Sequence, residues 1–219
     1  MDIQPIFSFL TELKENNNKE WFTANKKRYD ACRALFVEVV DQLIEQLYQK
    51  DESFEDVSAK ECIFRIYRDV RFSKDKTPYK TSFSACIAPG GRKSTQAIRY
   101  FHLEPGNTIL AGGIYQPDAD RLRKIRQEID YNAEGLKSIL EEKRFKAYFD
   151  GMNGDKLKRP PKGYDAGHPD IELLKFKSYT VFYNMDDAMV LSADFMAETE
   201  KVFDRITPFN AYLNEAIAE

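Results

Sequence analysis

The chain has 219 residues and a formal net charge of −3, and 42% of its residues are hydrophobic. This apolar content is enough to bury a core, which excludes global disorder. No stretch approaches the roughly 18 consecutive apolar residues that a membrane-spanning helix needs, and the N-terminus lacks the basic and apolar regions of a signal peptide.

The N-terminal part of the chain is predicted to be helical. Residues 3–15 carry apolar side chains at helical spacing. Asn17 and Glu20 then match a capping box, which predicts a second helix with an apolar face that continues through Leu47. Residues 51–60 are polar and acidic, and we expect a loop there.

From residue 63 the hydrophobic period changes to two, which is typical of β-strands. Pro105 and Gly106 stand where a type II turn places proline and glycine, so a hairpin is predicted around them. The short connections between strands favour antiparallel pairing. The predicted strands cover residues 63–70, 82–88, 99–104, 108–115 and, after a middle helical region, 178–183.

Helices are also predicted in the middle and at the end of the chain. Asp118 can cap a helix that runs to about residue 130, and further helices are expected over residues 133–149 and 193–218, with a loop over residues 150–170. These elements predict an α+β fold, in which an antiparallel sheet of about four to five strands is packed by N-terminal, middle and C-terminal helices. No linker or repeat divides the chain, so we expect a single domain over residues 1–219.

The cysteines and histidines of the chain match no metal or redox motif. Cys32, Cys62 and Cys86 are widely separated and include no CxxC pair, which favours a reduced, cytoplasmic protein. Two isolated histidines do not complete a zinc site, and no P-loop, GxGxxG or GxSxG motif occurs. We therefore expect neither a metal nor a cofactor.

Residues 64–82 are strongly basic, with six cations against two aspartates, a local balance of +4. Arginine and lysine beside aromatic residues suit an anion such as a phosphate, a carboxylate or a nucleic-acid backbone. The alternative is an edge strand that lysines protect against pairing with other chains. The predicted ligand-binding residues of this stretch are Arg65, Tyr67, Arg68, Arg71, Lys74, Lys76, Tyr79 and Lys80.

A second basic stretch covers residues 156–177, where six cations stand against three carboxylates, a balance of +3. Its prolines stiffen residues 158–169, and an ordered loop binds a ligand with little loss of entropy, although an ordinary surface crossing has the same composition. Taking +4 and +3 from the net −3 leaves −10 on the remaining residues, which would repel a long polyanion. The predicted ligand-binding residues here are Lys162, Tyr164, Lys175 and Lys177.

His168 is the candidate acid/base because it lies on this loop beside Asp165. Asp69 or Asp165 would orient its imidazole, so these three residues are the predicted catalytic group. The other histidine, His102, alternates on a predicted strand with Tyr100 and Glu104, and we interpret it as a half-buried residue without a role.

Three segments of the chain carry extended motifs. They read Asn-Asn-Asn-Lys-Glu-Trp-Phe at 16–22, Phe-Arg-Ile-Tyr-Arg-Asp-Val-Arg-Phe-Ser-Lys-Asp-Lys-Thr-Pro-Tyr-Lys-Thr at 64–81, and Pro-Pro-Lys-Gly-Tyr-Asp with His-Pro within 160–169. In this order they resemble the bacterial family catalogued as domain of unknown function 2461, and the resemblance extends from about Phe9 to Leu213. It implies one family domain across the chain and supplies no activity.

The sequence therefore favours a cytoplasmic protein that binds a small anionic, phosphorylated ligand between residues 65–80 and 158–177. One alternative is an enzyme that acts on such a ligand with His168 as acid/base. Another is an adaptor whose basic face docks an acidic protein or a nucleic acid, and the −10 outside the basic stretches makes nucleic acid the less favoured partner. We expect no membrane partner.

Overall fold

The structure is a computed structural model, and it describes residues 1–218. Within these residues the chain forms nine α-helices and a sheet of four β-strands. The helices are α1 (Gln4–Glu15), α2 (Lys19–Ala24), α3 (Lys26–Tyr48), α4 (Ala59–Cys62), α5 (Ala119–Glu141), α6 (Lys143–Lys146), α7 (Ile171–Leu174), α8 (Asp187–Val190) and α9 (Phe195–Ala218). The strands are β1 (Phe83–Ile87), β2 (Ile98–Leu103), β3 (Thr108–Ile114) and β4 (Tyr179–Met185).

The four strands form one antiparallel sheet in the order β1-β2-β3-β4. The predicted hairpin joins β2 to β3: Gly106 has φ of 77°, and the Asn107 N–H donates to the Glu104 carbonyl oxygen at 2.9 Å. Glycine suits this position because it adopts positive φ without a steric penalty. The α+β fold and its antiparallel sheet are thereby confirmed.

The predicted strand over residues 63–70 is not a regular strand. Ile63 pairs with Ala85 and Tyr67 pairs with Tyr79, each as an isolated antiparallel bridge. The paired residue numbers sum to 148 in the first bridge and to 146 in the second, so the two bridges differ in register and no continuous ladder joins them. Beyond the second bridge, Pro78 has no N–H to donate, so the pairing ends there. This prediction of a full strand was wrong, although the segment does lie alongside its expected neighbour.

The second helix begins one residue later than the capping box predicts. Asn18 is the N-cap, and its side-chain oxygen accepts from the Trp21 N–H at 2.9 Å. Asn17 instead forms two hydrogen bonds with the backbone of Tyr79, at 2.9 and 3.1 Å. Asn25 then separates α2 from α3, whose apolar face continues to Leu47 as predicted.

The middle helix is capped as expected but is longer. The Asp118 carboxylate accepts from the Arg121 N–H at 2.9 Å, and α5 continues to Glu141. Asn132 has non-helical angles, with φ of −140° and ψ of 53°, at the point where the sequence pattern predicts a break. The closing helix α9 and the strand β4 also occupy their predicted places.

The described residues fall into two compact units, and a single domain stays a prediction. Unit 1 comprises residues 1–94, 100–110 and 184–200. Its core is largely aromatic: the Phe36 ring lies 5.2 Å from that of Phe83 and 5.4 Å from that of Phe101, which in turn contacts Phe195. All four side chains are buried.

Unit 2 comprises residues 95–99, 111–183 and the end of the chain from residue 201. Gly112 and Gly113 of β3 pack closely against their neighbours. A Cβ at Gly113 would lie 2.0 Å from the Tyr179 carbonyl oxygen, and one at Gly112 would lie 2.1 Å from Ile206. These glycines therefore allow close packing within the unit.

Candidate functional site

A row of half-buried polar side chains follows β2 in unit 1. Tyr100 and His102 are half-buried, whereas the alternating Phe101 and Leu103 are fully buried. Because successive strand residues point to opposite faces, β2 carries its apolar side chains on the core face and these polar ones on the other. We call that second face of β1 and β2 the outer face.

The polar side chains of the outer face form a continuous hydrogen-bonded chain. The Tyr100 hydroxyl lies 3.2 Å from Nδ1 of His102, and Nε2 of His102 lies 3.1 Å from Oε2 of Glu104. We call Tyr100, His102 and Glu104 the relay. Ser84 of β1 extends it at the other end, since its side chain hydrogen-bonds to Tyr100.

Glu104 is the charged end of the relay. Burial opposes ionisation of its carboxyl group, but hydrogen bonds from Thr81, Asn107 and His102 outweigh burial and lower the pKa of Glu104. The Thr81 hydroxyl lies 2.5 Å from Oε1, and the Asn107 amide lies 3.0 Å from Oε2. A carboxylate only accepts hydrogen bonds, so Nε2 of His102 carries a proton, and in the neutral imidazole Nδ1 is then the acceptor for the Tyr100 hydroxyl.

Burial raises the pKa of Tyr100, although the hydrogen bond from Ser84 opposes this. The phenol therefore keeps its proton at neutral pH and donates it to His102. Cys86 lies on the same face of β1, and burial raises the pKa of its thiol to about 11. Cys86 is therefore neutral and a poor nucleophile.

A cluster of cations adjoins β1 on the outer face. The Phe64 N–H donates to the Ser84 carbonyl oxygen at 2.9 Å, which places Phe64 beside β1. The Lys80 ammonium lies 5.1 Å from the centre of the Phe64 ring, and the Arg92 guanidinium lies 5.9 Å from it. Arg65, whose charge acts on Lys80, completes the group of four residues that we call the Phe64 cluster.

Within residues 1–218, Lys80 and Arg92 of the Phe64 cluster have no carboxylate partner, whereas the charge of Arg65 also acts on Asp69. None of these three cations forms an ion pair in this part of the chain. Burial lowers the pKa of Lys80, and the nearby charge of Arg65 lowers it further. Arg65 and Lys80 thus repel each other at a place where an anion would be stabilised.

Three of the other four predicted cations of this stretch bind protein groups. Arg68 contacts the Asp75 carboxylate and the Thr77 hydroxyl. Hydrogen bonds from the Thr77 backbone N–H and from the side chains of Arg68 and Thr77 lower the pKa of Asp75 to about 2. Arg71 binds Asp69, with Nε 3.0 Å from Oδ1. That bond is the main cause of the lowered pKa of Asp69, to which Arg65 also contributes. The ammonium of Lys76 donates to the Val70 carbonyl oxygen, and Lys74 is exposed.

The two predicted tyrosines of unit 1 have packing contacts. The Tyr79 ring is buried and stacks on Phe22 with 3.9 Å between ring centres. Tyr67 is half exposed and contacts the edges of the same two rings. Tyr79 is therefore a core residue, and Tyr67 lies at the edge of the core.

A cavity of about 300 Å³ opens beside Glu104. Lys14 of α1, Thr81, Gly106 and Asp187 are among the residues that line it. Its volume is at the lower end of the range of small-molecule pockets. The carboxylate end of the relay therefore borders a space that a small molecule can enter.

His168 lies in unit 2, and both of its ring nitrogens are occupied. Nδ1 lies 3.0 Å from the Asp170 N–H nitrogen and accepts from it, so Nε2 carries the proton that is donated to Asp130 Oδ1 at 2.8 Å. The orienting carboxylate is thus Asp130, whereas Asp165 accepts from the Gly167 N–H at 2.7 Å. The predicted partner Asp69 belongs to unit 1.

The predicted binding residues of unit 2 fall into two groups. Lys175 lies 2.7 Å from Glu172, and Lys177 lies 3.8 Å from Asp155, so carboxylates neutralise both cations. Lys162 is exposed, and Tyr164 is half-buried with its ring edge against His168. The meeting of the two basic stretches at one anion stays a prediction.

The sequence contains a signal for the relay. Tyr100, His102 and Glu104 stand at positions i, i+2 and i+4 of a predicted strand, which puts all three on one face. Arg92 carried no such signal, because it follows β1 in a short turn of 3₁₀-helix and reaches Phe64 only in the fold.

Metal-binding groups of side chains and membrane-spanning helices are both absent from residues 1–218. Across residues 1–218, no three His, Cys, Asp or Glu side chains are grouped so that they could hold a metal ion. No helix in the same part of the chain combines the length and the apolar character needed to cross a bilayer.

The chain matches one family model. The model describes a conserved hypothetical protein (DUF2461) and matches residues 5–212. No curated protein and no solved structure is significantly similar to the chain. Because the match covers nearly all of the 219 residues and agrees with the motifs at 16–22, 64–81 and 160–169, the chain belongs to the DUF2461 family.

Proposed function

We propose that this protein binds a small phosphorylated ligand through Arg65, Lys80 and Arg92 of the Phe64 cluster. The observation that supports this most is that Lys80 and Arg92 form no ion pair within residues 1–218, whereas Arg68 and Arg71 do, and that Arg65, whose charge also acts on Asp69, lies near Lys80. A guanidinium provides two parallel donors for a phosphate, and a lysine adds a point charge. The three free cysteines also support the cytoplasmic location that we expect.

A small ligand suits the site better than a polymer. The charge outside the two basic stretches is −10, and it would repel a long polyanion. Six phosphate contacts with a nucleic acid would also make the affinity fall by roughly 10³-fold between about 50 and 200 mM salt. A partly buried pair with one phosphate is screened much less.

Calorimetric titration tests the proposal with mononucleotides, sugar phosphates and a short DNA at two salt concentrations. We expect a small phosphate to bind with weak salt dependence, and Lys80→Ala or Arg92→Ala to weaken binding at least about tenfold, which corresponds to about 1.4 kcal/mol. Lys27→Ala is the matched control, because Lys27 is exposed on α3 and its removal changes the net charge equally. Steeply salt-dependent binding of DNA alone would overturn the proposal, and binding of no probe would leave the adaptor as the better function.

A further inference from the structure

We propose that Tyr100, His102 and Glu104 are the catalytic machinery of a phosphate-ester hydrolase, with Tyr100 as the group that exchanges a proton with the reacting water. This inference rests on the proposed function, because the Phe64 cluster would hold the phosphate. It replaces His168 as acid/base, since both ring nitrogens of His168 already bind protein groups.

The direction of the hydrogen bonds gives Tyr100 its role. Glu104 is ionised and accepts from His102 Nε2, which leaves Nδ1 as the acceptor for the Tyr100 hydroxyl at 3.2 Å. A carboxylate that orients an imidazole, which in turn accepts from a hydroxyl, is the arrangement by which proteins activate a hydroxyl group. Burial raises the pKa of Tyr100, and the side-chain interaction with Ser84 opposes this rise, so Ser84 favours negative charge on the phenol oxygen.

The relay lies close to the Phe64 cluster. Phe64 is hydrogen-bonded to Ser84, and the Ser84 side chain is hydrogen-bonded to Tyr100. Neighbouring strands are about 4.8 Å apart, so the backbones of Phe64 and Tyr100 are separated by about two such spacings, on either side of Ser84. The long side chains of Lys80 and Arg92 can therefore hold a phosphate within reach of the Tyr100 hydroxyl.

The proposed step is balanced without a metal or a redox partner. A water oxygen bonds to phosphorus while its proton passes to the Tyr100 oxygen, and the Tyr100 proton passes to His102 Nδ1. The imidazolium that forms is stabilised by Glu104. The bond between phosphorus and the ester oxygen then breaks, and the reverse proton transfers deliver one proton to the leaving alkoxide. The products are an alcohol and phosphate, and the relay returns to its starting state.

Hydrolysis of p-nitrophenyl phosphate by the full chain tests the inference. We expect Tyr100→Phe and His102→Gln to lower kcat by roughly 10²- to 10⁴-fold with KM close to that of the wild type, and Lys80→Ala to raise KM. Tyr48→Phe is the matched control, because Tyr48 is an exposed residue of α3. Thermal unfolding of each variant shows whether it is folded, and a variant that unfolds early is assayed, beside the wild type, at a temperature below its unfolding midpoint.

Phosphate binding separates the two claims. Suppose that inorganic phosphate binds to the wild type, that Lys80→Ala weakens this binding, and that no p-nitrophenol is released. The relay inference is then overturned and the binding function is retained. If neither binding nor hydrolysis occurs, both are overturned. Hydrolysis that is unaffected by Tyr100→Phe and His102→Gln would also overturn the relay.

Discussion

Nε2 of His102 lies 3.1 Å from Oε2 of Glu104, and both side chains are only 17% exposed. The half-buried carboxylate stays ionised because Thr81 and Asn107 bind it as well. Such a group is costly to bury unless its oxygens are hydrogen-bonded. Three hydrogen-bond donors, from Thr81, Asn107 and His102, therefore keep Glu104 ionised next to an imidazole.

This arrangement makes stability depend on pH in a definite direction. The pKa of Glu104 is lowered from its usual value of 4.5, so its contribution to the free energy of unfolding is fully present above that pH and is lost as pH falls through the lower, folded-state value. We expect Glu104→Gln to destabilise the protein by about 1–3 kcal/mol at neutral pH and by less in acid. Urea unfolding of both proteins at two pH values measures this, and a difference that grows in acid would contradict it.

The Phe64 cluster makes a prediction about the pKa of Lys80. Burial and Arg65 lower that pKa from its usual value of 10.5, so removing Arg65 should raise it. NMR titration of the Lys80 side chain in Arg65→Ala should show the rise, and Lys27→Ala should leave the pKa where it is. Bound phosphate should raise the pKa as well, since an anion favours the charged ammonium. If neither Arg65→Ala nor added phosphate changes the pKa of Lys80, then neither Arg65 nor the bound phosphate lies near Lys80.

Close packing at Gly113 is testable by comparison with Gly151. Both glycines have φ near +110°, but a Cβ would meet the Tyr179 carbonyl oxygen at Gly113 and nothing within 4 Å at Gly151. We expect Gly151→Ala to cost only backbone strain, about 1–3 kcal/mol, and Gly113→Ala to cost more than about 4 kcal/mol. Thermal unfolding measures the loss of stability in each variant. Equal losses would show that backbone strain alone, and not the close contact at Gly113, determines the cost.

The two histidines give a direct contrast of the two acid/base assignments. His102→Gln should abolish most hydrolysis of p-nitrophenyl phosphate, whereas His168→Gln should reduce stability by removing the bond to Asp130. Hydrolytic activity and the thermal unfolding midpoint are measured for each variant. A loss of activity that follows His168 and not His102 would restore the assignment that the sequence favours.

The elements that the sequence predicts well are those with a local cause. The hairpin at Gly106 follows from the positive φ that glycine permits, and the cap at Asp118 follows from the adjacent helix. Periodicity predicted a strand near Tyr67, but the pairing changes register between Ile63 and Tyr67 and ends at Pro78 of the partner segment, and these effects are not local.

The candidate site was predicted only in part. Charge density singled out the basic stretch that contains Arg65 and Lys80, but it could not tell Arg68, which binds Asp75, from Arg65, which has no ion pair within residues 1–218. Which cations are neutralised depends on turns such as the one between Asp75 and Thr77. Arg92 is brought to Phe64 by the fold alone, so no pattern of the sequence predicts its part in the cluster.

The most direct test of the account is a crystal structure of the protein grown with inorganic phosphate. We expect a phosphate bound by Lys80 and Arg92 beside Phe64, with Tyr100 facing it across Ser84, and we expect it to be absent from crystals of Lys80→Ala. A phosphate bound instead by Lys162, or by Lys14 in the cavity beside Glu104, with the Phe64 cluster empty at saturating phosphate, would contradict the account.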